Sequence, residues 1–310
     1  MLTVSTPAVS VIIPTLNRPS ELARAIESLL RQTLLPSEVI VIDQSRDDLS
    51  RREVDRLFGD APQLAREAIK GVCVHDPRIN GAAEARGRGM DLAHGDIWLF
   101  VDDDVVLEPD FLERLIEVHI RNPDAVGVSG VVTNYSPPGF IYRGWNLIFA
   151  RGPFFDERQP VYWSAERLRD AEPIRVRMFT GAMMSFRASA IRGLRFDPNL
   201  TGGSLAEDAD FTLRLSETGK LLLLAPSARL EHRRSDVGRA QDHWLRAHAQ
   251  ANYYLYYRHW KRSVQSRACF VWLNIGYALA VLFSCAKRRS SAPYASFAAG
   301  VRLARGLTHG

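Results

Sequence analysis

The chain has 310 residues, 46% of them hydrophobic, enough to bury one large core or a core with an appendage. Its net charge of +5 conceals a split: residues 243–310 hold ten Lys or Arg and no Asp or Glu, leaving 30 basic against 35 acidic groups elsewhere. Three cysteines, Cys73, Cys269 and Cys285, exclude a disulfide framework by their odd count and a cysteine metal motif by their spacing, so a reducing compartment is expected.

The first apolar run, Val9 to Ile13, follows no basic segment and breaks at Pro14, so it reads as a strand and not as a signal peptide. Pro19-Ser20-Glu21 starts a helix in which Leu22, Ala25, Ile26, Leu29 and Leu30 recur at helical spacing. Glu38 to Ile42 is a second buried strand ending in Asp43, which puts Asn17 and Asp43 at neighbouring carboxyl ends of a right-handed parallel unit. Arg46 to Gly71 is charged and weakly periodic, with one surface helix over Leu49 to Phe58; Val72 to His75 is a third, short strand. Asn80 to Gly89 opens another helix with small residues, which allows close backbone approach to a bound group.

Ile97-Trp98-Leu99-Phe100-Val101 is wholly apolar, the pattern of a buried strand in a parallel sheet, and it delivers Asp102, Asp103 and Asp104 at its carboxyl end. Three carboxylates there repel one another and resist burial unless a cation or hydrogen-bond donors meet them. Ligands of open α/β sheets bind just outside the carboxyl ends of strands, so these hard oxygens suit Mg²⁺ or Mn²⁺ carrying a phosphate; the plain alternative is a solvated acidic turn.

A helix beginning at Pro109-Asp110-Phe111 turns Leu112, Leu115, Ile116 and Val118 inward, and Ala125 to Val132 is the next strand. Asn134 to Pro173, aperiodic and rich in Pro, Gly and aromatics, reads either as a binding loop or as a minor core. Phe179 to Arg187 is a strand entered by a glycine turn. The stretch Gly202 to Phe211 sets Glu207, Asp208 and Asp210 in the first turn of a helix, where capping needs one acid and three are present. Leu221 to Pro226 and Leu230-Glu231-His232 are expected as two separate strands, the lone His232 having a structural role by default.

In this order the motifs Val11 to Arg18, Val41 to Ser45, Gly81 with Ala85-Arg86, Phe100 to Asp104, Gly181-Ala182-Met183 and Glu207-Asp208 resemble the family 2 glycosyltransferases of the GT-A fold, of the bacterial polysaccharide and rhamnosyltransferase-like kind, over residues 9–235. The resemblance implies an α/β chain: a GT-A catalytic domain over 1–240, with a Rossmann-like nucleotide-binding mixed sheet and an acceptor-binding extension, and a helical tail over 241–310. It implies that Pro14, Thr15 and Asn17 border the nucleotide, Asp43 bonds its base, Arg86 and Asp103 contact substrate, and Asp102 lies near the ribose. Asp104 would hold Mg²⁺ or Mn²⁺, with His232 as a second ligand; Asp208 would be the general base, supported by Glu207. Gln44-Ser45 stands where the family often has Asp-Gly-Ser or Asn-Ser-Ser, and Gly87 where it often has Asn. The implied activity is inverting transfer of a sugar from a nucleotide-diphosphate-sugar to a hydroxyl of a saccharide or lipid-linked acceptor, in cell-surface polysaccharide or glycolipid synthesis.

Two other readings compete. A sugar-phosphate nucleotidyltransferase would show a Gly-rich basic loop after the first strand, and Pro14 to Pro19 lacks the glycines. A degenerate scaffold of a polysaccharide-assembly complex would have lost Asp104 or Asp208, and both are present.

Ala268 to Ala286 carries no charge and as a helix reaches roughly 28 Å, marginal for a bilayer core. Asn274, Gly276 and Ser284 interrupt it, and basic residues flank both ends, which disfavours a simple span. The expected arrangement is a helix in or dipping into the cytoplasmic leaflet of an anionic membrane, aided by Tyr253 to Tyr257; the alternative is packing on the catalytic domain or in a dimer. The basic groups flank an apolar run and form no periodic basic face, so nucleic acid is not an expected partner.

Overall fold

A computed structural model describes residues 6–135, 139–150, 168, 170–179, 181–200, 205–233, 243–259 and 263–308. Part of the expected loop between Asn134 and Pro173, Thr180, the stretch Gly202-Gly203-Ser204 and the pair Lys261-Arg262 lie outside the described residues.

In chain order the elements are β1 (Val9–Thr15), α1 (Pro19–Leu30), β2 (Glu38–Asp43), α2 (Leu49–Asp60), α3 (Gln63–Ala68), β3 (Lys70–His75), α4 (Ala82–Leu92), β4 (Ile97–Val101), β5 (Val105–Leu107), α5 (Phe111–Arg121) and β6 (Ala125–Val132). There follow α6 (Phe140–Trp145) with a π-helical turn (Asn146–Ala150), β7 (Ile174–Val176), β8 (Met183–Arg187), α7 (Ala188–Ile191), α8 (Glu207–Glu217), β9 (Leu221–His232), α9 (His243–His259), α10 (Val264–Arg288) and α11 (Ala292–Thr308). The chain divides into two compact units. The first takes Met1–Tyr135, Trp163–Gly202 and Glu207–Val237; the second takes Ser136–Tyr162, Gly203–Ala206 and Gly238–Gly310.

The first unit is built on a mixed sheet of order β3-β2-β1-β4-β8-β6-β9-β5, with β7 also on β9. The strands β3, β2, β1 and β4 run parallel; β8 is antiparallel to both β4 and β6. Every residue of β1, β2 and β4 is buried, which is why these strands read as continuous apolar runs without alternation. On α1, Leu22, Ala25, Ile26 and Leu29 form the inward stripe that covers the sheet, and α5 does the same with Leu112, Leu115, Ile116 and Val118. The chain crosses from β1 outward to β2 and β3, then returns through α4 to β4 on the other side of β1. The strand order therefore reverses between β1 and β4, the place at whose carboxyl ends open α/β sheets bind their ligands.

Among the described residues five short elements escaped the sequence patterns: α3, β5, α6, β7 and α7 are too brief for periodicity to register. The two expected strands near the end of this unit are in fact one, β9, of 12 residues. Pro226 sits inside it where the β6–β9 register shifts between Ser129 and Val131, so its missing N–H falls at an irregularity and does not end the strand.

In the second unit the charge-free run lies within a longer helix, α10, of 25 residues, which Ser263 caps by accepting a hydrogen bond from the Ser266 N–H at 3.1 Å. Phe270 stacks on Tyr256 with ring centroids 3.8 Å apart, joining α10 to α9. A Cβ at Gly300 would overlap the carbonyl oxygen of Arg246, so this glycine sets how closely α11 approaches α9.

Candidate functional site

The site grows from the carboxyl ends of β1, β2 and β4. Thr15 and Asp43 are register partners at the ends of β1 and β2, and the acidic triplet follows β4 directly. The three acids then separate. Asp103 turns into the protein, where Thr15 Oγ1 donates to it at 2.7 Å and Arg18 Nη1 lies 3.2 Å away. Burial pushes its pKa up to about 7 even against the Arg18 charge and the Thr15 hydrogen bond. The same Arg18 nitrogen lies 3.4 Å from Asp104.

What gathers Asp104 is β5. This three-residue strand begins at once after the triplet and pairs antiparallel with β9, with Val105 opposite His232. The pairing sets His232 Nε2 3.0 Å from Asp104 Oδ1. Asp102, Asp104 and His232 thereby offer one ligand atom each, all within 4.8 Å of one another. The imidazole is also fixed from its far side. Its Nδ1 shares a 3.0 Å hydrogen bond with the Tyr135 hydroxyl, and Asn134 brackets the His232 backbone from both its N–H and its carbonyl. Two carboxylates and one imidazole fit a hard divalent ion such as Mg²⁺ or Mn²⁺.

Behind this cluster lies a buried cation. Arg86 comes from the inner face of α4, is 2% exposed, and forks to Asp102 Oδ1 through Nη2 and to Glu207 Oε1 through Nη1, each at 2.9 Å. Burial alone would lower its pKa, but Asp102, Glu207 and Asp208 more than offset that and raise it. Glu207 and Asp208 open α8, as expected, and the preceding Ala206 takes φ +97°, a left-handed conformation strained for a residue with a Cβ. Asp208 Oδ1 accepts from the Ala209 N–H at 2.8 Å. Desolvation, with the Glu207 charge adding to it, raises the Asp208 pKa to about 7. Asp210, the third acid, is fully buried and pairs with Arg214 at 2.8 Å, so it serves the helix and not the cluster.

The Gly181-Ala182 segment closes the far side. Gly181 accepts from Arg86 at 3.3 Å, and a Cβ at this position would stand 3.0 Å from Asp208 Oδ2. A side chain here would have to push the Asp208 carboxylate aside. Ala182, just before β8, accepts the Asp102 N–H at 3.1 Å, so the entry to that strand positions the start of the triplet as well.

At the other end, Asp43 is fully buried; Oδ1 accepts from the Ser45 N–H at 3.0 Å, while Oδ2 has no hydrogen-bond partner among the described residues. An unmatched carboxylate oxygen at a strand end is a ready acceptor for N–H donors. Gln44 Oε1 accepts the Gly81 N–H at 2.7 Å, at the positive-φ turn (φ +106°) that starts α4, and Ser45 Oγ accepts the Asn17 N–H at 2.7 Å. Gln44 and Ser45, which stood out as departures from the resembled pattern, are thus clamps between the first two strand ends and α4. Pro14 lies in β1, and Asn17 is exposed with φ +57°.

The structure thus brings Asp102, Asp104 and His232 together, and Arg86, Glu207 and Asp208 beside them; Asp103 is turned away onto Thr15 and Arg18. Sequence reasoning missed Tyr135 and the ion pairs of Arg18. Tyr135 carries no local signal, and the partners of Arg18 are 85 and 86 residues away.

Residues 10–192 match the family described as Glycosyl transferase family 2. The chain is 30% identical over 251 residues to a glucosyl-dolichyl phosphate glucuronosyltransferase of Haloferax volcanii, across 76% of this chain and 72% of that one. Several further curated relatives are matched over 19% to 40% of their own lengths. Among solved structures, a mannosyltransferase of Pyrobaculum calidifontis in complex with GDP-Man and Mn²⁺ superposes with a TM-score of 0.59 at 18% identity, covering 99% of this chain and 84% of that one. GalNAc-T7 with UDP, GalNAc and Mn²⁺ does so with a TM-score of 0.56 at 16% identity, covering 87% of this chain and 55% of that one. At these identities the likeness of the two structures is one of fold.

Proposed function

The chain belongs to glycosyl transferase family 2 and has the GT-A fold, and from that premise we propose that it moves a sugar, with inversion, from a nucleotide-diphosphate-sugar to an acceptor hydroxyl. The observation that carries the proposal is the placement of a candidate metal cluster and a candidate base on the two sides of Arg86. Asp104 and His232, with Asp102 at the ribose side, are the residues that would hold Mg²⁺ or Mn²⁺, which when bound neutralises the charge that collects on a leaving diphosphate. Pro14, Thr15 and Asn17 would border the nucleotide, and the unmatched oxygen of Asp43 would take an N–H of its base. In the reaction a bond forms between the acceptor oxygen and the anomeric carbon, on the face opposite the breaking bond to phosphate. The nucleoside diphosphate leaves with that bond's electron pair, and the hydroxyl proton passes to Asp208. A carboxylate whose pKa is raised to about 7 is suited to accept a proton near neutral pH. Glu207 would fix its position through Arg86. One base suffices, since inversion requires no covalent sugar–enzyme intermediate.

The acceptor in this reading is a saccharide or a lipid-linked saccharide of surface polysaccharide or glycolipid synthesis, reached from the cytoplasmic face of the membrane. The similarity to an enzyme named for a dolichyl phosphate substrate supports the lipid-linked class. The test is binding of a panel of nucleotide-diphosphate-sugars with and without Mg²⁺ or Mn²⁺, alongside Asp104→Ala and Asp208→Asn. Metal-dependent binding of one donor, lost in Asp104→Ala and kept in Asp208→Asn while turnover disappears, is the expected result. Donor binding indifferent to metal, or full turnover in Asp208→Asn, would refute the assignment.

A further inference from the structure

We propose that the second unit seats the protein on an anionic membrane through one apolar surface with two parts: one face of α10, and α6 with its π-helical turn, lying together in the plane of one leaflet. This rests on the reading of the chain as a membrane-docked glycosyltransferase and adds that the insertion after β6 enters the lipid along with the tail.

Two observations carry it. First, α6 and the π-turn have their large apolar side chains outward: Phe140 is 89% and Ile141 87% exposed, Leu147 and Ile148 are also exposed, and no residue of α6 is buried. On α10 the exposed residues Val271, Ile275, Leu279 and Leu282 recur at steps of four and three, forming one stripe, with Phe283 beside it at 71% exposed. Its opposite side buries Leu273, Gly276 and Val281. A globular surface has no reason to keep so much apolar area in water.

Second, the two parts are locked into one piece. Trp145 Nε1 donates to the Gly276 carbonyl at 3.1 Å and Trp272 Nε1 donates to the Ile148 carbonyl at 2.7 Å, a reciprocal pair of indole bonds. Phe149 packs against Trp145 and Trp272, and a Cβ at Gly276 would stand 2.5 Å from its ring. The glycine that weakens α10 as a spanning helix is the one that lets the insertion dock on it.

Charge selects the occupant. Residues 243–310 contain no acid, and α6 with its turn adds only Arg143, so two copies meeting face to face would oppose like charges, whereas anionic lipid neutralises them. Exposed Arg267 lies near the start of α10, and Lys287, Arg288 and Arg289 lie at its end. Basic groups at both ends of an apolar stripe put both ends at headgroup level on one side, which is an in-plane seat and not a span.

The experiment is flotation of the full chain with vesicles of equimolar phosphatidylcholine and phosphatidylglycerol, against vesicles of phosphatidylcholine alone, for wild type, Phe140→Ser/Ile141→Ser and Leu279→Ser/Phe283→Ser. Circular dichroism confirms folding, and nucleotide-diphosphate-sugar binding is measured on the same samples. We expect wild type to prefer the anionic vesicles and each double variant to lose about thirtyfold or more in binding, with donor binding unchanged. Undiminished flotation of Phe140→Ser/Ile141→Ser would overturn the two-part surface. So would a wild type that ignores vesicles and sediments as a dimer, or one released from cell membranes by detergent but not by alkaline carbonate, which marks a span. If no donor binds yet flotation behaves as expected, the seat stands and the glycosyl-transfer reading falls.

Discussion

Arg86→Met isolates the buried cation on which both halves of the site depend. The side chain is 2% exposed and forms two 2.9 Å ion pairs, to Asp102 and Glu207, with Asp208 also in its field. Methionine fills most of the volume but leaves these carboxylates facing one another in a desolvated space. Breaking a buried pair from one side costs about 3–5 kcal/mol, because the abandoned charge has lost both water and partner. For a unit of this size that corresponds to a fall in Tm of roughly 10 °C or more near neutral pH. The loss has a signature in pH. Without Arg86 the pKa values of Asp102 and Asp208, which burial already raises, rise further above their unfolded values, so the folded variant holds protons that the unfolded chain has released. Its stability relative to wild type therefore falls as pH rises, by about 1.4 kcal/mol per unit for each proton retained, and recovers as pH drops toward about 5. Thermal unfolding followed by circular dichroism between about pH 5 and about pH 8 reads both effects. Arg86→Lys should fall between, since one ammonium cannot reproduce the fork that meets two carboxylates in fixed directions. A Tm within about 3 °C of wild type at neutral pH, or a deficit constant across the range, would refute the claim that Arg86 holds these acids in place.

Four further outcomes follow from the geometry. With the Asp208 pKa raised to about 7, transfer should need its deprotonated form, so the rate at about pH 6 should be near a tenth of its alkaline plateau, a limb that a pH–rate profile would show and that Asp208→Asn should abolish along with turnover. Gly181→Val should press on Asp208 Oδ2, 3.0 Å from the first added carbon, and lower kcat by about tenfold or more with little change in donor KM, Gly181→Ala being milder. Tyr135→Phe should release His232 Nδ1 and weaken Mn²⁺ binding, read by titration calorimetry, by about tenfold. His119 is buried beside Ser185 with its pKa pushed down to about 3 by burial and, to a lesser degree, by Arg187. The unfolded chain takes up a proton at this position below about pH 6.5 and the folded one does not, so stability should drop as pH falls from about 6.5 toward 3; His119→Gln should flatten that slope in denaturant titrations.

What could be read from the residues alone divides along a physical line. Strands buried on both faces announce themselves, because a run such as Ile97 to Val101 has few other stable destinations, and its end fixes where the acids begin. The direction of each acid does not announce itself. Residue type does not separate Asp103 from Asp102 and Asp104, yet in the turn after β4 it is drawn inward by Thr15 and Arg18 while the other two stay with His232. That outcome depends on β5, three residues whose strand character comes from pairing with β9 and not from their own pattern. In the same way Pro226 looked like an end to a strand, and the irregular register with β6 absorbs it.

The tail carries the same lesson in reverse. Its composition was plain, but composition could not say which side of α10 would be covered, nor that part of the covering would come from residues 140–150, more than 100 positions earlier. Trp145 and Trp272 carry indole N–H groups that must find acceptors if their rings are to pack away from water. They find them in each other's segment, at the Gly276 and Ile148 carbonyls, and this reciprocity decides the face of α10 that remains exposed. The apolar stripe is thus defined by subtraction. Once the aromatic seam has taken Gly276 and its neighbours, Val264, Val271, Ile275, Leu279, Leu282 and Phe283 are the large apolar residues left outward, with charge of one sign toward both ends of the helix.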